Sequence, residues 1–333
     1  MHQTERQFVE RLRALASRHA PARRGTMRLR RGIGDDCAVF SIVPSSDSRR
    51  SDSRPDSRND LLVTTDLFLE GVHFRREWQP PASVGHKVLA RGLSDIAAMG
   101  GVPRYAFLSL AFPKQTPAKW MDEFLRGLLQ LAETSGVALA GGDTSASPSG
   151  VVADIMVMGE VPRNTAVLRS GARPGDEIWV TGQLGGAALA LAALRKRKKA
   201  SLAAATLQPL FYPQPRLRIG RALRERELAS AMIDLSDGLS IDLARLCKES
   251  GVGARIEEAA IPRSARTPLD CALHGGEDFE LLFTVRSERT RLLSRRIGGV
   301  PLTRIGRIVR GRKLELMRGG KALPLPVRGF EHF

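Results

Sequence analysis

The sequence predicts an α/β (α+β) fold of two α/β domains, on three observations. Short β-prone runs alternate with helical patterns along the chain, as in proteins that pack helices on sheets. The 333 residues are enough for two domains that each bury a core. A segment rich in Pro and Gly at 162–176 divides the chain, so we expect an N-terminal domain at 1–162 and a C-terminal domain at 163–333.

The individual elements follow from periodicity and from the residues that bound each run. Apolar, β-prone runs predict seven strands: 61–66, 105–112, 136–143, 151–161, 177–182, 231–237 and 278–285. Helical spacing predicts five helices: 83–99 opened by Ser83, 117–134 opened by Thr116, 185–199, 214–227 and 238–250. The first twenty residues predict an amphipathic helix, with Phe8, Leu12 and Leu15 on one side, rather than a secretory signal.

Charge and cysteine content limit the environment of the protein. A formal net charge of +17 attracts anions, whether nucleic acid, a membrane surface or small phosphates. No apolar run approaches the ~20 residues that a membrane span needs, so no membrane association is expected. The three cysteines lack CxxC spacing, which favours neither a disulfide framework nor a zinc site. A reducing cytoplasm is the simplest location.

Two segments of biased composition have a simple interpretation. The Ser/Arg/Asp stretch at 45–60 contains four arginines and four aspartates and no aliphatic or aromatic residue, so we expect a mobile loop between two strands. The basic run RKRKK at 195–199 follows an Ala/Leu-rich helical pattern. It is interpreted as a solvated helix end, where cations are favoured by the helix dipole, rather than a nucleic-acid patch.

Acidic residues cluster where apolar strands run out into Gly, Ser or Thr. Five have this placement, and a sixth lies on a helix: Asp36, Asp66, Asp143, Asp234, Asp237 and Asp95. Strand ends converge on the crevice in which α/β proteins bind ligands. Crowded carboxylates repel one another unless a cation lies among them, and Mg²⁺ bridging carboxylates to nucleotide phosphates fits this need. Taken singly, Asp143 in GGD and Asp237 in SDG are better explained as helix caps or turn residues.

Several common catalytic signatures do not occur in the sequence. There is no GxxxxGK[ST] P-loop, no GxGxxG between a strand and a helix, and no HRD or DFG of a protein kinase. No Ser/His/Asp or Cys/His set is recognisable either. If ATP binds, it binds in a different fold.

Eight motifs carry a resemblance that runs over nearly the whole chain. They are GIGDDCA at 32–38, TTDLFLEGVHF at 64–74, LSDIAAMGGVPR at 93–104, GGDTS at 141–145, LRSGARPGDEIWVTG at 168–182, IDLSDGLSIDLARL at 233–246, GGEDFELLFTV at 275–285 and GFEHF at 329–333. In this order and spacing they resemble the thiamine-monophosphate kinases, which phosphorylate thiamine phosphate to thiamine diphosphate with ATP. The wider group includes aminoimidazole ribonucleotide synthetase and selenophosphate synthetase. The resemblance implies two α/β domains and a homodimer built through a mixed sheet of the N-terminal ones.

The resemblance also implies roles for individual residues. Several Mg²⁺ ions around the ATP phosphates would be held by Asp36, Thr64, Thr65, Asp66, Asp95, Asp143, Asp234 and Asp237. Of these, the residues expected to be essential for catalysis are Asp36, Asp66, Asp95, Asp143 and Asp234. ATP itself would be contacted by Gly142, Asp143, Arg169 and Ser236. Thiamine phosphate would be contacted by His73 and Glu277, with Phe330 as the aromatic residue near the thiamine.

The chain departs from the family pattern at two places. Gly92 stands where the family commonly has Asn, and Gly185, Gly186 and Ala187 stand where it often has Gly-Asp-Ser. Neither change affects an expected metal ligand. Two other functions stay open: another ATP-dependent synthetase of the same group, or a basic, non-catalytic nucleic-acid-binding protein. The second has little support, because aromatic residues make up only 5% of the chain and nucleic-acid binding is not expected.

Overall fold

The computed structural model describes residues 4–18, 27–42, 59–196, 203–264 and 266–332. Within these residues the helices α1 to α8 are Glu5–Arg18, Pro81–Ala98, Ala118–Ser135, Gly186–Lys196, Ala204–Phe211, Leu217–Glu225, Leu239–Ser250 and Leu269–His274. Most of the Ser/Arg/Asp stretch, 45–58, lies outside the described residues, as do the last three residues of the basic run.

The strands form two sheets, which confirms the predicted α/β fold class. Strands β1 to β6 are Met27–Arg31, Ala38–Ile42, Asn59–Leu69, Val102–Phe112, Ala138–Ala146 and Val152–Pro162, and they pair in the order β1-β2-β3-β6-β4-β5. Strands β7 to β14 are Glu177–Thr181, Ala229–Leu235, Gly253–Glu257, Glu280–Val285, Arg296–Ile297, Val300–Val309, Leu314–Arg318 and Lys321–Pro324. Their order is β14-β13-β9-β12-β7-β10-β8, with β11 paired to β12. Among the strands of the described residues, β4–β5 and β9–β13 pair in parallel and the other pairs are antiparallel.

Helix α2 is the element that joins the two halves. Fourteen of its eighteen residues are buried, because it packs on the first sheet and on elements of the second half. Its last turn places Ala97 and Ala98 in a hydrophobic cluster with Ile219 and Leu223. Gly92 faces β6, where an added Cβ would lie 2.6 Å from Val157 Cγ2, so the small residue allows this close packing. The position of α2 therefore fixes how side chains from both halves meet.

The predicted starting residues of two helices are wrong. Helix α2 begins at Pro81, and the Ser83 hydroxyl donates to the carbonyl oxygen of Pro80 instead of capping the helix. Helix α3 begins at Ala118, with Pro117 rather than Thr116 as the flanking residue. In both cases proline fixes the backbone φ angle at the start of the helix. Proline has no backbone N–H, so no hydrogen-bond partner is needed there.

Two strands extend beyond the acidic residues that were expected to end them. Strand β3 runs through Leu69 and begins at Asn59, so Asp66 lies inside a strand and the predicted loop at 45–60 is two residues too long. Strand β5 runs through Ala146, because it pairs with β4 as far as Phe112. Asp143 therefore also lies within a strand. Regular pairing with a neighbour outweighs the local Gly-rich composition.

The predicted amphipathic helix at the start of the chain is present as α1. Its apolar residues Phe8, Leu12 and Leu15 are exposed. The helix is held instead by polar contacts, with Arg13 bound to Glu249 at 2.8 Å. None of the helices in the described part of the chain has the length and apolar character needed to cross a membrane.

Helices α2 and α3 cross closely at Gly85 and Gly127, so a larger side chain at the crossing should destabilise the protein. A Cβ at Gly127 would lie 1.9 Å from the carbonyl oxygen of Ala82. Alanine favours helix by about 1 kcal/mol, but overpacking against rigid backbone costs more, so Gly127→Ala is expected to destabilise the protein by at least about 2 kcal/mol in urea unfolding. The exposed neighbour Arg126 provides the control, since Arg126→Ala should stay within about 0.5 kcal/mol of wild type. Equal stabilities of the two variants would contradict the close crossing.

Candidate active site

A cleft of about 610 Å³ lies where the two sheets meet around α2. Most of the polar residues predicted for the site line this first cleft. They are Asp36, Thr64, Thr65, Asp66, Asp95, Arg169, Asp234, Ser236 and Asp237. They come from the turn before β2, from β3, from α2, from the segment before β7, and from β8 and the turn after it. Side chains that are distant in sequence are thus neighbours in this cleft.

Three carboxylates form the centre of the first cleft. One oxygen each from Asp36, Asp95 and Asp234 lies within 4.8 Å of the other two. Two hydroxyl groups hold these carboxylates: Thr64 Oγ1 donates to Asp95 Oδ2 at 2.5 Å, and Ser94 Oγ donates to Asp234 Oδ2 at 2.8 Å.

The electrostatics of these carboxylates favour a bound cation. Burial raises the pKa of Asp95 well above its ordinary value, and the charges of Asp66, Asp234 and Asp36 raise it further. Burial also raises the pKa of Asp234, with Asp36 as the next cause. Three oxygen donors, two on buried residues and one on the half-buried Asp95, lie within reach of one small ion and suit Mg²⁺, which takes oxygen ligands at about 2.1 Å. The residues present therefore fit the metal that the resemblance implies.

Arg169 provides a fixed cation beside this cluster. Its Nη2 and Nε atoms lie 2.9 and 3.2 Å from the two oxygens of Asp36, so the guanidinium binds this carboxylate in a bidentate manner. Burial alone would lower the pKa of Arg169, but the carboxylates of Asp36, Asp234 and Asp95 together outweigh burial and the pKa is raised. The Arg169 backbone N–H donates to Asp35 Oδ1 at 2.8 Å. The adjacent carboxylates of the GDD motif thus have separate tasks: Asp35 holds the Arg169 segment and Asp36 faces the cleft.

Helix α2 presents a row of ionic side chains to the site. Lys87, Arg91 and Asp95 are spaced by four residues and therefore lie on one face of the helix. Lys87 Nζ lies 2.8 Å from Glu277 Oε1, and Arg91 Nη2 lies 2.8 Å from Asp66 Oδ1. Sequence reasoning missed Lys87 and Arg91. The available signal was the four-residue spacing of charged residues in an otherwise apolar helix.

A second cleft, of about 390 Å³, adjoins the first. His73, Glu277 and Phe330 line it, and Ser236, Asp237, Arg91 and Phe330 line both clefts. It combines aromatic surface with a carboxylate, and only the first cleft holds the three-carboxylate cluster.

His73 is a neutral imidazole at the second cleft. It stacks on Phe68, with ring centroids 5.4 Å apart, and lies 5.9 Å from Phe330. Burial, followed by the charge of Arg91, lowers its pKa to about 3. The backbone N–H of Leu69 donates to His73 Nδ1 at 3.0 Å, so the ring proton is on Nε2. That Nε2 is buried and has no partner among the described residues, so it is a donor available for a ligand.

Gly142 and Asp143 do not reach either cleft within one chain. Strands β6 and β4 lie between β3 and β5, so three strand spacings, roughly 14 Å in total, separate Asp143 from Asp66. Gly142 and Asp143 lie on β5 and are exposed, and Asp143 Oδ1 accepts a hydrogen bond from the Thr144 N–H. Strand order cannot be read from the GGD motif. The sequence therefore gave no sign that Asp143 lies on a strand distant from the other acids. The roles of both residues stay predictions.

Comparison with known proteins gives the family. The model of the AIR synthase related protein, N-terminal domain, matches residues 34–191, and that of the C-terminal domain matches residues 173–318. A thiamine-monophosphate kinase of Salmonella typhimurium is 37% identical over 318 residues, which is 91% of each chain. The chain belongs to the thiamine-monophosphate kinase family. The homologue of Bacillus subtilis is 31% identical over 91% of this chain and 93% of its own.

Two solved structures of the family share the architecture. The structure of AaThiL complexed with AMPPCP and TMP has a TM-score of 0.80 and 29% identity, and covers 99% of this chain and 97% of that one. The thiamine-monophosphate kinase from Stenotrophomonas maltophilia K279a has a TM-score of 0.73 and 34% identity over 95% of this chain and 96% of that one. The arrangement of two sheets around the clefts is therefore that of the family.

The crowded carboxylates generate a stability prediction. A carboxyl whose pKa is raised on folding destabilises the folded state as the pH rises above the ordinary value of 3.8. Without metal, Asp234→Asn should therefore raise the melting temperature at pH 8 by about 2–8 °C, the equivalent of about 1–2 kcal/mol for a domain of this size. This gain should shrink toward pH 4. Millimolar Mg²⁺ should stabilise the wild type but not the variant.

Calorimetric melting with and without Mg²⁺ checks this expectation. A variant that melts below the wild type at pH 8 without metal would show that the carboxylates do not repel one another.

Proposed function

We propose that the protein transfers the γ-phosphoryl group of ATP to thiamine phosphate, forming thiamine diphosphate and ADP. The observation that carries the proposal is the pair of adjoining clefts. One holds a cluster of three carboxylates and an arginine, and the other joins aromatic surface to a carboxylate. The names of the relatives, and the AaThiL complex with AMPPCP and TMP, support ATP and thiamine phosphate as the two substrates.

The ATP phosphates belong in the first cleft. Asp36, Asp95 and Asp234 would hold Mg²⁺ there, with the further ligands Thr64, Thr65, Asp66 and Asp237 for additional ions. Bound Mg²⁺ neutralises phosphate charge that would otherwise repel the carboxylates and the acceptor. Arg169 lies at the same wall, and its guanidinium and the Ser236 hydroxyl are placed to donate hydrogen bonds to phosphate oxygens.

Thiamine phosphate belongs in the second cleft. Its thiazolium ring is a cation, which favours the carboxylate of Glu277 and the π face of Phe330. Lys87, buried behind Glu277, holds that carboxylate in place through its 2.8 Å contact. The Nε2–H of His73 is a neutral donor to the bound molecule, because the low pKa prevents it from carrying a charge beside a cationic ring.

The transfer needs no proton to move. The acceptor is a phosphate monoester whose second pKa near ~6 makes it a dianion at pH 7. One of its oxygens forms a bond to the γ-phosphorus, the bond from that phosphorus to the bridging oxygen breaks, and ADP leaves with the electron pair. Because the nucleophile is already charged, the site requires positioning and charge neutralisation rather than a general base. A side-chain base is therefore not part of the proposed mechanism.

The assembly and the domain boundary are part of the same proposal. We place the boundary between residues 162 and 163, because the first sheet ends at Pro162 and the second begins at Glu177. A homodimer is supported by β5, an edge strand whose nine residues are all exposed, including Leu139. Long exposed edges pair with other strands. Gly142 and Asp143 lie on this edge, so pairing would bring them against a second copy. Three free thiols and the use of ATP support a cytoplasmic enzyme.

The proposal predicts an activity and its loss. Purified protein with Mg²⁺, ATP and thiamine phosphate should form thiamine diphosphate, measured by chromatography. Asp66→Asn should lower kcat at least about 100-fold, because it removes charge that the metals require. Asp122→Asn, which changes an exposed carboxylate of α3 away from both clefts, should keep wild-type turnover.

ATP hydrolysis by the wild type without thiamine diphosphate formation would replace this proposal with another synthetase of the group. Equal turnover of Asp66→Asn and Asp122→Asn would refute the role of the carboxylates.

A further inference from the structure

Arg91 stands in the wall that the two clefts share. It is the one arginine of α2, and its side chain lines both the cleft with the carboxylate cluster and the cleft with His73 and Glu277. The side chain is 14% exposed, so it is held by its neighbours and still borders the open space of the clefts. A group that passes from the first cleft to the second passes Arg91.

The guanidinium is fixed by its surroundings but keeps donors free. Its Nε and Nη2 atoms lie 3.3 and 2.8 Å from Asp66 Oδ1. Its central carbon lies 5.6 Å from the ring centroid of Phe68. No described residue accepts a hydrogen bond from Nη1, and an arginine has five N–H donors in a planar fork. Nη1 is therefore available to an anionic ligand.

Negative charge around Arg91 is supplied by groups from several elements. Asp66 lies on β3, Asp237 follows β8, and Glu277 precedes β10, and all three carboxylates raise the pKa of Arg91 against the effect of burial. The arginine is consequently a permanent cation at the junction. Lys87, one turn earlier on α2, is different: its side chain is 0% exposed and contacts Glu277, so it serves to position that residue.

We infer that Arg91 contacts the phosphoryl group while it moves between the clefts and is a catalytic residue of the transfer. The inference rests on the proposed function. As the bond from the γ-phosphorus to the bridging oxygen breaks and the bond from the acceptor oxygen forms, charge spreads over the three other oxygens of the moving group. Arg91 Nη1–H donates to one of these oxygens. The electron pair of the broken bond leaves with ADP, and no proton is exchanged.

A purely positioning role makes different predictions. If Arg91 only holds Asp66, its loss should weaken Mg²⁺ binding, and saturating Mg²⁺ should restore turnover. If Arg91 contacts the moving group, its loss should lower kcat at every Mg²⁺ concentration and should leave the binding of each substrate nearly unchanged.

The experiment compares Arg91→Gln, Arg91→Lys and Arg104→Gln with the wild type. Arg104 is a matched control, because its Nε and Nη2 atoms also contact one carboxylate oxygen, Glu160 Oε1, at 2.8 and 2.6 Å, on an exposed part of the first sheet. Three quantities are measured: kcat and KM over a Mg²⁺ series, the affinity for thiamine phosphate with Mg²⁺-ADP, and the same affinity after addition of aluminium fluoride. Aluminium fluoride mimics the phosphoryl group in transit.

For Arg91→Gln we expect kcat to fall at least about 100-fold, with each KM within about threefold, since removal of one transition-state donor has effects of this size. Aluminium fluoride should tighten thiamine phosphate binding to the wild type and to Arg104→Gln, and this gain should disappear in Arg91→Gln. Arg91→Lys keeps the charge but lacks the fork, so it should lose at least about tenfold in kcat. If Arg91→Gln does not fold, the kcat of Arg91→Lys tests the inference.

Three results would overturn the inference. One is a kcat of the Arg91 variants within about fivefold of Arg104→Gln. Another is recovery of turnover at saturating Mg²⁺, which would make Arg91 a positioning residue for Asp66. The third is an undiminished gain from aluminium fluoride in the variants. A wild type that forms no thiamine diphosphate would instead refute the proposed function, and the inference with it.

Discussion

Repulsion among clustered carboxylates is the constraint on which the rest of the structure depends. Asp36, Asp95 and Asp234 each have an oxygen within 4.8 Å of the other two, and burial disfavours the charged forms of Asp95 and Asp234. A fold that keeps such a cluster loses stability in the absence of a cation. The arrangement is explained by the use of the site: the same crowding that destabilises the empty protein creates a place for metal ions and the triphosphate that they accompany.

Helix α2 is the means by which the fold maintains this cluster. Its apolar residues pack on the first sheet and on the second half, and glycines allow α3 and β6 to approach closely. Its ionic residues lie in a row on one face, so Lys87, Arg91 and Asp95 each meet a carboxylate or hydroxyl group from another element. One rigid element thus sets the distances among groups from both halves, which is the requirement for phosphoryl transfer by positioning.

The sequence could predict the fold class and the grouping of several acids, because both follow from local patterns. Apolar runs and helical periodicity indicated two α/β halves, and the placement of Asp36 and Asp234 near strand ends indicated a common crevice. It could not predict the strand order, which depends on long-range pairing. For that reason Asp143 was expected beside Asp66, although two strands lie between them. Arg91 was overlooked because a charged residue in a helix usually faces solvent, and only tertiary packing turns it toward the clefts.

The most direct test of the account is a crystal structure with manganese in place of magnesium, using anomalous scattering to locate the ions. The account predicts an anomalous peak at about 2.1–2.3 Å from oxygens of Asp36, Asp95 and Asp234, the distance expected for a hard divalent cation. Addition of a non-hydrolysable ATP analogue should place its phosphates against the same ion. Fully occupied manganese elsewhere on the protein, with these three carboxylates free of metal, would contradict it.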